Sequence, residues 1–562
     1  MFKKTLFLFF SFSSVCNLFS AEKIIEVSPV DGSDNQVLVQ AIKEAAECQG
    51  KPVTIKLKPG VYDFSRSEAS KRLYYVSNTT SEAENADPVK HIAVLLKDLK
   101  NVTLDGCGST LLMTGEMTSL VVDHCRNMVL KNFNIDHENP TQPECTVKEV
   151  GEDYLVVEVH PSSRYQIVDG KLAWFGDGWS FQRGIAQSYD PVKDITWRSW
   201  SPMDGLKKAV EIKPHLLYLQ YDRKPEAQPG YVFQMRDGIR DEVCGFINRS
   251  ENVRLENVNF HYLGNFSVVC QYSENLTFHH NSFMPKPGSG RTNAGFADFL
   301  HVSGCKGKVS VTDCIFAGAH DDPINVHGTH LKVMEYVDGK TLKIRFMHPQ
   351  TYGFEAFFKG DEVELVHAET LRAVWSGKIA SARMANPREM IVTLNKSVPE
   401  SVRSLSNVVM ENITWTPEVL ISGNRFSRVP TRGILLSTRR KSVIENNVFY
   451  GMQMSAILVA DDAMSWYESG PVHDLVIRRN TFLQCGGPVI CIAPEYQKYD
   501  GPVHRNIRIE DNVFESDNPN VPAIYARGVD GLTVRNNSFE KMQGQGDKVQ
   551  ISDSQNVDCD YH

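Results

Sequence analysis

A short pattern, Asn-x-Phe, recurs along the chain and constrains its fold more than any other sequence feature. Its copies lie at Asn281–Phe283, Asn424–Phe426, Asn447–Phe449, Asn480–Phe482, Asn512–Phe514 and Asn537–Phe539, with degenerate copies ending at Phe260 and Phe316. The steps from 260 to 283 and from 426 to 449 are 23 residues, and the step from 514 to 539 is 25. The steps from 283 to 316 and from 449 to 482 are 33 residues, which indicates an added loop. The recurrence predicts one structural unit repeated many times.

Each copy lies between two strand-like alternations, such as "KSVIEN" before Phe449 and "AILVADD" after it. One such unit cannot bury its apolar face alone, whereas stacked units can. Asn tolerates the left-handed backbone that a sharp corner needs, and Asn side chains at one corner can hydrogen-bond along the stack. A period of 23–25 residues therefore predicts an all-β, right-handed parallel β-helix of the pectin lyase-like type. Propeller repeats are longer, and leucine-rich repeats carry Leu at fixed sites.

The ends and interruptions of the repeat predict the rest of the organisation. Helical periodicity over 34–50, with Asp34 or Asn35 as N-cap and Gly50 as stop, predicts a helix that caps the open end of the coils. Two stretches with short antiparallel strand patterns break the repeat, and we expect small barrel-like insertions that wall a cleft. The predicted segments are a signal peptide (1–21), the cap and first coils (22–137), an insertion (138–247), central coils (248–330), a second insertion (331–412) and C-terminal coils (413–562).

The N-terminus is typical of an exported protein. Lys3 and Lys4 precede an apolar run that is too short to span a bilayer, and small residues follow near Ala21. Cys16 leaves open a lipoprotein with an acylated N-terminus. The net charge of -8, with both signs scattered, argues against a nucleic-acid partner. The cysteines form no CxxC motif, so neither a zinc site nor a disulfide scaffold is indicated, and the sequence does not specify an oligomeric state.

The repeat gives a position to an acidic cluster in "AGAHDDPINVHG". Aligning the inward residues of two successive coils places Asp298 on Asp322, 24 positions later, with Asp321 beside it. Because successive coils lie about 4.8 Å apart, these carboxylates should converge on one patch. Arg432, in "TRGILLS", falls at the matching position beyond the second insertion, where it can pair with Asp322 or hold a substrate oxygen.

Three crowded carboxylates are costly unless the protein uses them. Crowding raises at least one pKa, so that one carboxyl can act as an acid while another acts as a base. Carboxylates one and two coils apart suit the separation of about 6.5–9.5 Å used by inverting glycosidases. An Asp ladder that caps turns is the structural alternative. Ca²⁺ held as in pectate lyases, or zinc held by His320, His327 and His330, is the metal alternative.

The motifs "NAGFADFLHVSGCKGKV" and "AGAHDDPINVHGTHL", with "KPGVYDF" in the cap and the two insertions, resemble glycoside hydrolase family 110 along the whole chain. That family comprises bacterial exo-acting α-1,3-galactosidases. The resemblance implies hydrolysis of terminal α-1,3-linked galactose, as in the blood group B determinant, with inversion and no cofactor. It leaves open whether linear α-1,3-galactosyl glycans are substrates as well as branched ones. The Asp and Asp-Asp arrangement also resembles polygalacturonases, but their Gly-His-Gly and Arg-Ile-Lys motifs are absent.

The resemblance implies that Asp298, Asp321 and Asp322 are the catalytic carboxylates. By analogy with polygalacturonases, Asp321 is expected to be the general acid, with Asp298 and Asp322 activating water. Trp466 and Glu468 lie in the long loop "VADDAMSWYESGP", which can close a pocket around one terminal sugar. No metal ligand is expected, and the expected oligosaccharide contacts are His301, His320, Asn325, His327, Arg432, Trp466 and Glu468.

Two other functions remain open at the level of sequence. A polygalacturonase-like pectinolytic enzyme would use the same three carboxylates on galacturonan. A non-catalytic glycan-binding β-helix would keep its affinity for glycans when a carboxylate is replaced.

Overall fold

The computed structural model describes residues 22–543 and 546–561 of the chain. The predicted signal peptide and Cys16 lie outside these residues. Within them the coils stack as a parallel β-helix, which confirms the predicted fold class. No helix in this part of the chain is long and apolar enough to cross a membrane.

Two long sheets form the walls of the coils. The first sheet contains Lys23–Val27, Val53–Leu57, Val61–Ser65, Lys100–Thr114, Arg126–His137, Glu251–Phe260, Glu274–His279, Ser282–Phe283, Lys306–Thr312, Ile315–Ala317, Glu418–Ser422, Arg425–Ser427, Ser442–Glu445, Val448–Tyr450, Leu475–Arg478, Thr481–Leu483, His504–Glu510, Val513–Ser516, Val529–Arg535, Ser538–Met542 and Gln555–Cys559. The second sheet contains Ser70–Leu73, Val89–Lys97, Thr118–Asp123, Gly245–Asn248, Val268–Gln271, Leu300–Ser303, Ile324–Thr329, Ile434–Leu436, Ile457–Val459, Ile490–Ile492, Ile524–Arg527 and Val549–Ser552. Apolar residues from both sheets fill the space between them.

The repeated Asn and Phe residues stack along the first sheet, as the sequence predicts. The amide of Asn424 donates to Asn447, that of Asn447 to Asn480, and the ladder continues to Asn512 and Asn537 with donor–acceptor distances of 2.9–3.0 Å. The phenylalanine rings stack with centroid separations from 4.6 to 5.2 Å. The ladder satisfies buried amides, and the stack fills the interior beside it.

The left-handed backbone of each corner lies one residue earlier than the sequence pattern suggested. Positive φ values occur at Asn446 (57°), Arg479 (52°), Asp511 (58°) and Asn536 (56°), each directly before a ladder asparagine. The ladder asparagines are selected for a buried amide that bridges coils, and the corner residue before them takes up the turn.

The buried ladder predicts a large loss of stability when one rung is removed. The Oδ1 atom of Asn447 accepts both the backbone and the side-chain N–H of Asn424, and its amide donates to Ile421 and Asn480. Since each buried group left unsatisfied costs about 1–3 kcal/mol, Asn447→Ala should lower the free energy of unfolding by about 3 kcal/mol. Denaturant unfolding followed by circular dichroism measures it. The control, Asn446→Gly, should be near neutral because Gly accepts a positive φ; equal losses in the two variants would contradict a special role for the ladder.

The N-terminal cap has the predicted order, with a different hydrogen-bond pattern. A helix over Asn35–Ala46 follows Asp34 and ends before Gly50, and a 3₁₀ turn covers Arg66–Glu68. The Asp34 carboxylate accepts the backbone N–H groups of Val30 and Asp63 and caps no N–H of the helix. The first helix therefore packs as a lid on the coils and is tied to the strand beneath it.

The first insertion is β-rich, as predicted, and its larger sheet has two edge strands. Its antiparallel strands are Glu144–Val150, Tyr154–Val159, Ile185–Asp190, Ile195–Ser199, Lys208–Lys213, Leu216–Gln220 and Val232–Arg236, beside a small sheet of Tyr165–Val168, Lys171–Gly176 and Trp179–Phe181. Ile195–Ser199 and Lys208–Lys213 are the two edges of the larger sheet, and in this fully described stretch they do not pair with each other.

The second insertion is a closed antiparallel barrel, as predicted. Its strands are Leu331–Tyr336, Thr341–Arg345, Glu362–His367, Arg372–Asn386, Glu389–Leu394 and Val408–Asn412, and a short helix covers Glu400–Arg403. The coil register resumes beyond it, because Ile324 pairs with Ile434 and Phe316 stacks on Phe426 at 5.0 Å. The insertion therefore leaves and rejoins the coils without changing their order.

Candidate active site

Parallel pairing in the second sheet brings the acidic cluster and Arg432 together. Leu300 pairs with Ile324, and Ile324 pairs with Ile434, so Asp298, Asp322 and Arg432 each lie two residues before a paired position. The guanidinium group of Arg432 forms two parallel contacts with the carboxylate of Asp322, Nε to Oδ1 at 3.0 Å and Nη2 to Oδ2 at 2.9 Å. This bidentate geometry is the strong form of an ion pair.

The three carboxyl groups have different partners. The Oδ1 and Oδ2 atoms of Asp321 lie 3.6 Å from the guanidinium groups of Arg198 and Arg240, respectively. Asp298 has an imidazole as its neighbour, with 2.8 Å between its Oδ2 and the Nδ1 of His301. The carboxyls thus share one patch in three different electrostatic surroundings.

Burial dominates the titration of the two deeper carboxyls. It raises the pKa of Asp298 to about 8, and the nearby charge of Asp321 adds to the rise. It raises the pKa of Asp322 to about 7, although the charge of Arg432 opposes the rise. Two carboxyls that titrate near neutral pH are suited to exchange protons with a substrate or a water molecule.

The carboxyls open into a cavity of about 590 Å³. Its lining residues come from the coils, the first insertion, the segment after Leu73 and the long loop, and they are Asn78, Arg240, Asp298, Asp321, Asp322, Asn325, Arg432, Leu435, Ser437, Leu458, Ala460, Asp462, Trp466, Glu468 and Glu495. The carboxyls are therefore reached from a cavity that several separate parts of the chain enclose.

The long loop is held over the cavity by one carboxylate. Asp462 accepts the backbone N–H groups of residues 464–467, and Glu468–Ser469 pairs antiparallel with Gly328 and Thr329 of the central coil. The indole of Trp466 remains 42% exposed and stacks on the His348 ring of the second insertion, with 4.2 Å between centroids. An aromatic wall is therefore fixed beside the carboxyls.

Asn325 and Glu468 line the cavity, as expected from the sequence. The amide of Asn325 donates to Glu468 Oε2 at 3.5 Å, and Asn78 donates to Glu468 Oε1 at 2.9 Å. The buried Oδ1 of Asn325 has no hydrogen-bond partner among the described residues. That acceptor is free to bind a ligand hydroxyl.

The histidines do not line the cavity, which corrects the expectation that they contact a sugar. His320 is fully buried, with its Nδ1 against Gln142 and its Nε2 against Gln234 of the first insertion. His301 and His327 point outward from the coils, as expected, but the long loop covers them and they are buried. An outward-facing residue of a coil is therefore not always exposed.

Two groups of side chains in the described residues bring three ligand-type atoms within 4.8 Å of one another. His279, His280 and Asp313 form one group, on the first sheet away from the cavity. His301, His327 and Glu468 form the other, where the two Nε2 atoms are 2.9 Å apart. Tetrahedral zinc with Zn–N bonds of about 2.0–2.1 Å separates its nitrogens by about 3.3 Å, so the observed distance suits a hydrogen bond.

Sequence reasoning missed several cavity residues. Arg240, which lines the cavity, and Arg198, which contacts Asp321 from outside the lining, belong to the first insertion. That insertion has no repeat register, so no signal in the sequence could have placed them. The position of Glu495 could have been predicted from the coil register. Ile492 pairs with Val459, so Glu495 lies one coil beyond Asp462.

Comparison with known proteins follows the same division into coils and insertions. Residues 143–233 match the model for GLAA-B beta-barrel domain I, and residues 341–405 match that for GLAA-B beta-barrel domain II. The chain is 57% identical to alpha-1,3-galactosidase A of Bacteroides thetaiotaomicron over 94% of each chain. It is 37% identical to alpha-1,3-galactosidase A of Akkermansia muciniphila, over 87% of this chain and 81% of that one. It is 35% identical to alpha-1,3-galactosidase B of B. thetaiotaomicron, over 93% and 87%.

Proposed function

The chain belongs to the α-1,3-galactosidases of glycoside hydrolase family 110, and from this premise we propose that it is an exo-acting, inverting glycosidase. Its substrates are oligosaccharides that end in α-1,3-linked galactose, the branched blood group B determinant among them and linear glycans as well. The observation that carries the proposal is the convergence of Asp298, Asp321 and Asp322 in one cavity beside Arg432.

The burial of the carboxyls supports the division of roles predicted from sequence. The side chain of Asp321 is 15% exposed, against 6% for Asp298 and 3% for Asp322. A leaving group at the mouth of the cavity reaches the most exposed carboxyl, so Asp321 donates the proton to the glycosidic oxygen. The deeper pair, Asp298 and Asp322, orients and deprotonates the attacking water.

The guanidinium groups around Asp321 set a condition on this assignment. A general acid must reach the glycosidic oxygen, and the guanidinium groups of Arg198 and Arg240, each 3.6 Å away, lie against the two oxygens of Asp321. The side chain of Arg198 is 60% exposed and free to move. We propose that the bound oligosaccharide displaces Arg198 and brings its glycosidic oxygen against Asp321.

The walls of the cavity support action at the end of a glycan. Trp466 offers an aromatic face for the apolar side of one galactose ring, and Asn325 and Glu468 offer acceptors for its hydroxyls. Arg432, fixed on Asp322, lies beside them. We further propose that the predicted signal peptide exports the enzyme, with acylation of Cys16 as the route to a membrane-anchored form.

The test uses three substrates and one product. We expect free galactose from both the branched α-1,3-galactosyl trisaccharide with fucose and the linear trisaccharide without it. We expect no new reducing ends from polygalacturonan. Cleavage of polygalacturonan without release of galactose would replace the proposal with a pectinolytic function. Glycan affinity without release of any sugar would indicate a binding module.

A further inference from the structure

Asp298, His301, His327 and Glu468 form a continuous file of side chains whose two ends, Asp298 and Glu468, line the cavity and whose two imidazoles lie behind it. Asp298 Oδ2 lies 2.8 Å from His301 Nδ1, and His301 Nε2 lies 2.9 Å from His327 Nε2. His327 Nδ1 lies 2.5 Å from the carbonyl oxygen of Gly328, and His327 Nε2 lies 3.6 Å from Glu468 Oε1. Both imidazoles are buried, so water does not substitute for these contacts.

The carbonyl of Gly328 fixes the protons of the file. A carbonyl oxygen only accepts, so the Nδ1 of His327 must carry a hydrogen. One further proton must lie between the two Nε2 atoms, since two bare lone pairs would repel each other at that distance. Three arrangements satisfy both conditions. One of them, an imidazolium at His301 beside the carboxylate of Asp298, is disfavoured because burial lowers the pKa of His301 well below its ordinary value, and two remain.

In the first arrangement the shared proton lies on His301. The Nδ1 of His301 is then a lone pair, and Asp298 must be protonated and donate to it. In the second arrangement the shared proton lies on His327, which becomes an imidazolium 3.6 Å from Glu468. His301 Nδ1 then carries a hydrogen and donates to the carboxylate of Asp298.

We propose that His301 and His327 are a proton relay that takes the proton from Asp298 and holds it next to Glu468. Asp298 gives its proton to His301 Nδ1 as His301 Nε2 passes its own proton to His327 Nε2. One proton enters and one leaves His301, and positive charge appears on His327 as negative charge appears on Asp298. His301 and His327 are positioning residues, because neither lines the cavity.

The relay answers a difficulty in the site. Asp298 is expected to accept a proton from water, yet its surroundings favour its protonated form. Transfer to His327 leaves Asp298 ionised and ready to act as a base, and Glu468 neutralises the transferred charge. The charged and titratable groups that face the file are Asp321, Asp322, Arg240 and Arg432 around Asp298, and Glu468, Arg240 and Asp321 around the imidazoles.

The existence of the relay does not depend on the proposed function, and only its role in activating water rests on it. The first test therefore needs no substrate. The C=O stretch of protonated Asp298 is identified in infrared difference spectra by its absence from Asp298→Asn. Without His327 the proton stays on Asp298, because His301 then has no imidazole to which it can pass its own proton and burial disfavours a second proton on its ring. We expect a stronger band in His327→Gln that persists to a pH about one unit higher than in the wild type, a tenfold shift in the equilibrium. His301→Gln, which breaks the file one step earlier, should show the same shift.

The second test is the pH dependence of kcat/KM. In His327→Gln the acidic limb should move up by about one pH unit, so the variant is about tenfold slower near pH 6 and approaches the wild type at high pH. The control is His504→Gln, which changes a buried histidine of a C-terminal coil and should keep the wild-type profile.

Several results would overturn the relay. These are an Asp298 band that is the same in His327→Gln and the wild type, a loss of rate equal at every pH, or one metal ion per chain by elemental analysis that is lost in His327→Gln. If no galactose is released by any variant, the proposed function fails and the infrared spectra still decide whether the relay exists.

Discussion

Asp321→Asn is expected to lower kcat for galactose release by about 10²–10⁴-fold, the usual contribution of a general acid. The amide is nearly isosteric but cannot donate an acidic proton to the leaving glycosidic oxygen. Asp321 is the most exposed of the three carboxyls, so the change should leave the fold intact. Steady-state kinetics on the linear trisaccharide measure the loss of kcat. The circular dichroism spectrum and the unfolding midpoint show whether the fold is retained.

The control for Asp321 is Asp313→Asn. Asp313 is a corner residue of the first sheet, half exposed and outside the cavity lining, and its replacement should leave kcat unchanged. An aryl α-galactoside with an acidic phenol has a leaving group that needs no protonation. With this substrate, Asp321→Asn should recover much of the lost rate. Equal loss on both substrates would contradict the role of Asp321 as acid.

Arg432→Met should cause the largest loss of stability near the site. Removing one partner of a buried ion pair costs up to about 3–5 kcal/mol when the other partner stays charged, and Asp322 limits this cost by taking up a proton. The sign with pH follows from the pKa of Asp322, which is about 7 and which the charge of Arg432 holds down. Without Arg432 the carboxyl stays protonated to higher pH. The loss relative to the wild type should therefore be small at pH 5 and should grow by about 1.4 kcal/mol for each pH unit above about 7, up to the pKa of Asp322 in the variant.

Unfolding by denaturant at both pH values tests this expectation. Arg425→Met, at an exposed arginine of the neighbouring strand, is the matched control and should change the free energy of unfolding by less than about 0.5 kcal/mol. A loss in Arg432→Met that is equal at pH 5 and pH 8 would show that Arg432 acts through packing and not through the charge of Asp322.

The centre of the site could be predicted because a repeat turns spacing into adjacency. Asp298 and Asp322 are 24 residues apart, and Arg432 follows 110 residues after Asp322, yet parallel pairing sets all three at the same position of successive coils. The alternation of inward and outward residues gave the direction of each side chain. Those two periodicities were sufficient for the fold and for the acidic patch.

What covers the outer face of the coils could not be predicted. His301 and His327 point outward, but residues 468–469 pair across the end of the central strand and bury them. Arg198 and Arg240 reach Asp321 from the first insertion, whose fold depends on contacts outside the repeat. Long-range docking of loops and insertions, which local patterns do not encode, decides the charge around Asp321.

The anomeric configuration of the first-formed galactose tests the central claim most directly. Proton NMR of the linear trisaccharide, recorded from the start of hydrolysis and faster than mutarotation, distinguishes the two anomers. Three carboxyls that act as an acid and a water-activating pair predict β-galactose first, with the α-anomer appearing later by mutarotation. Initial release of α-galactose would show a covalent intermediate and would contradict this account of the site.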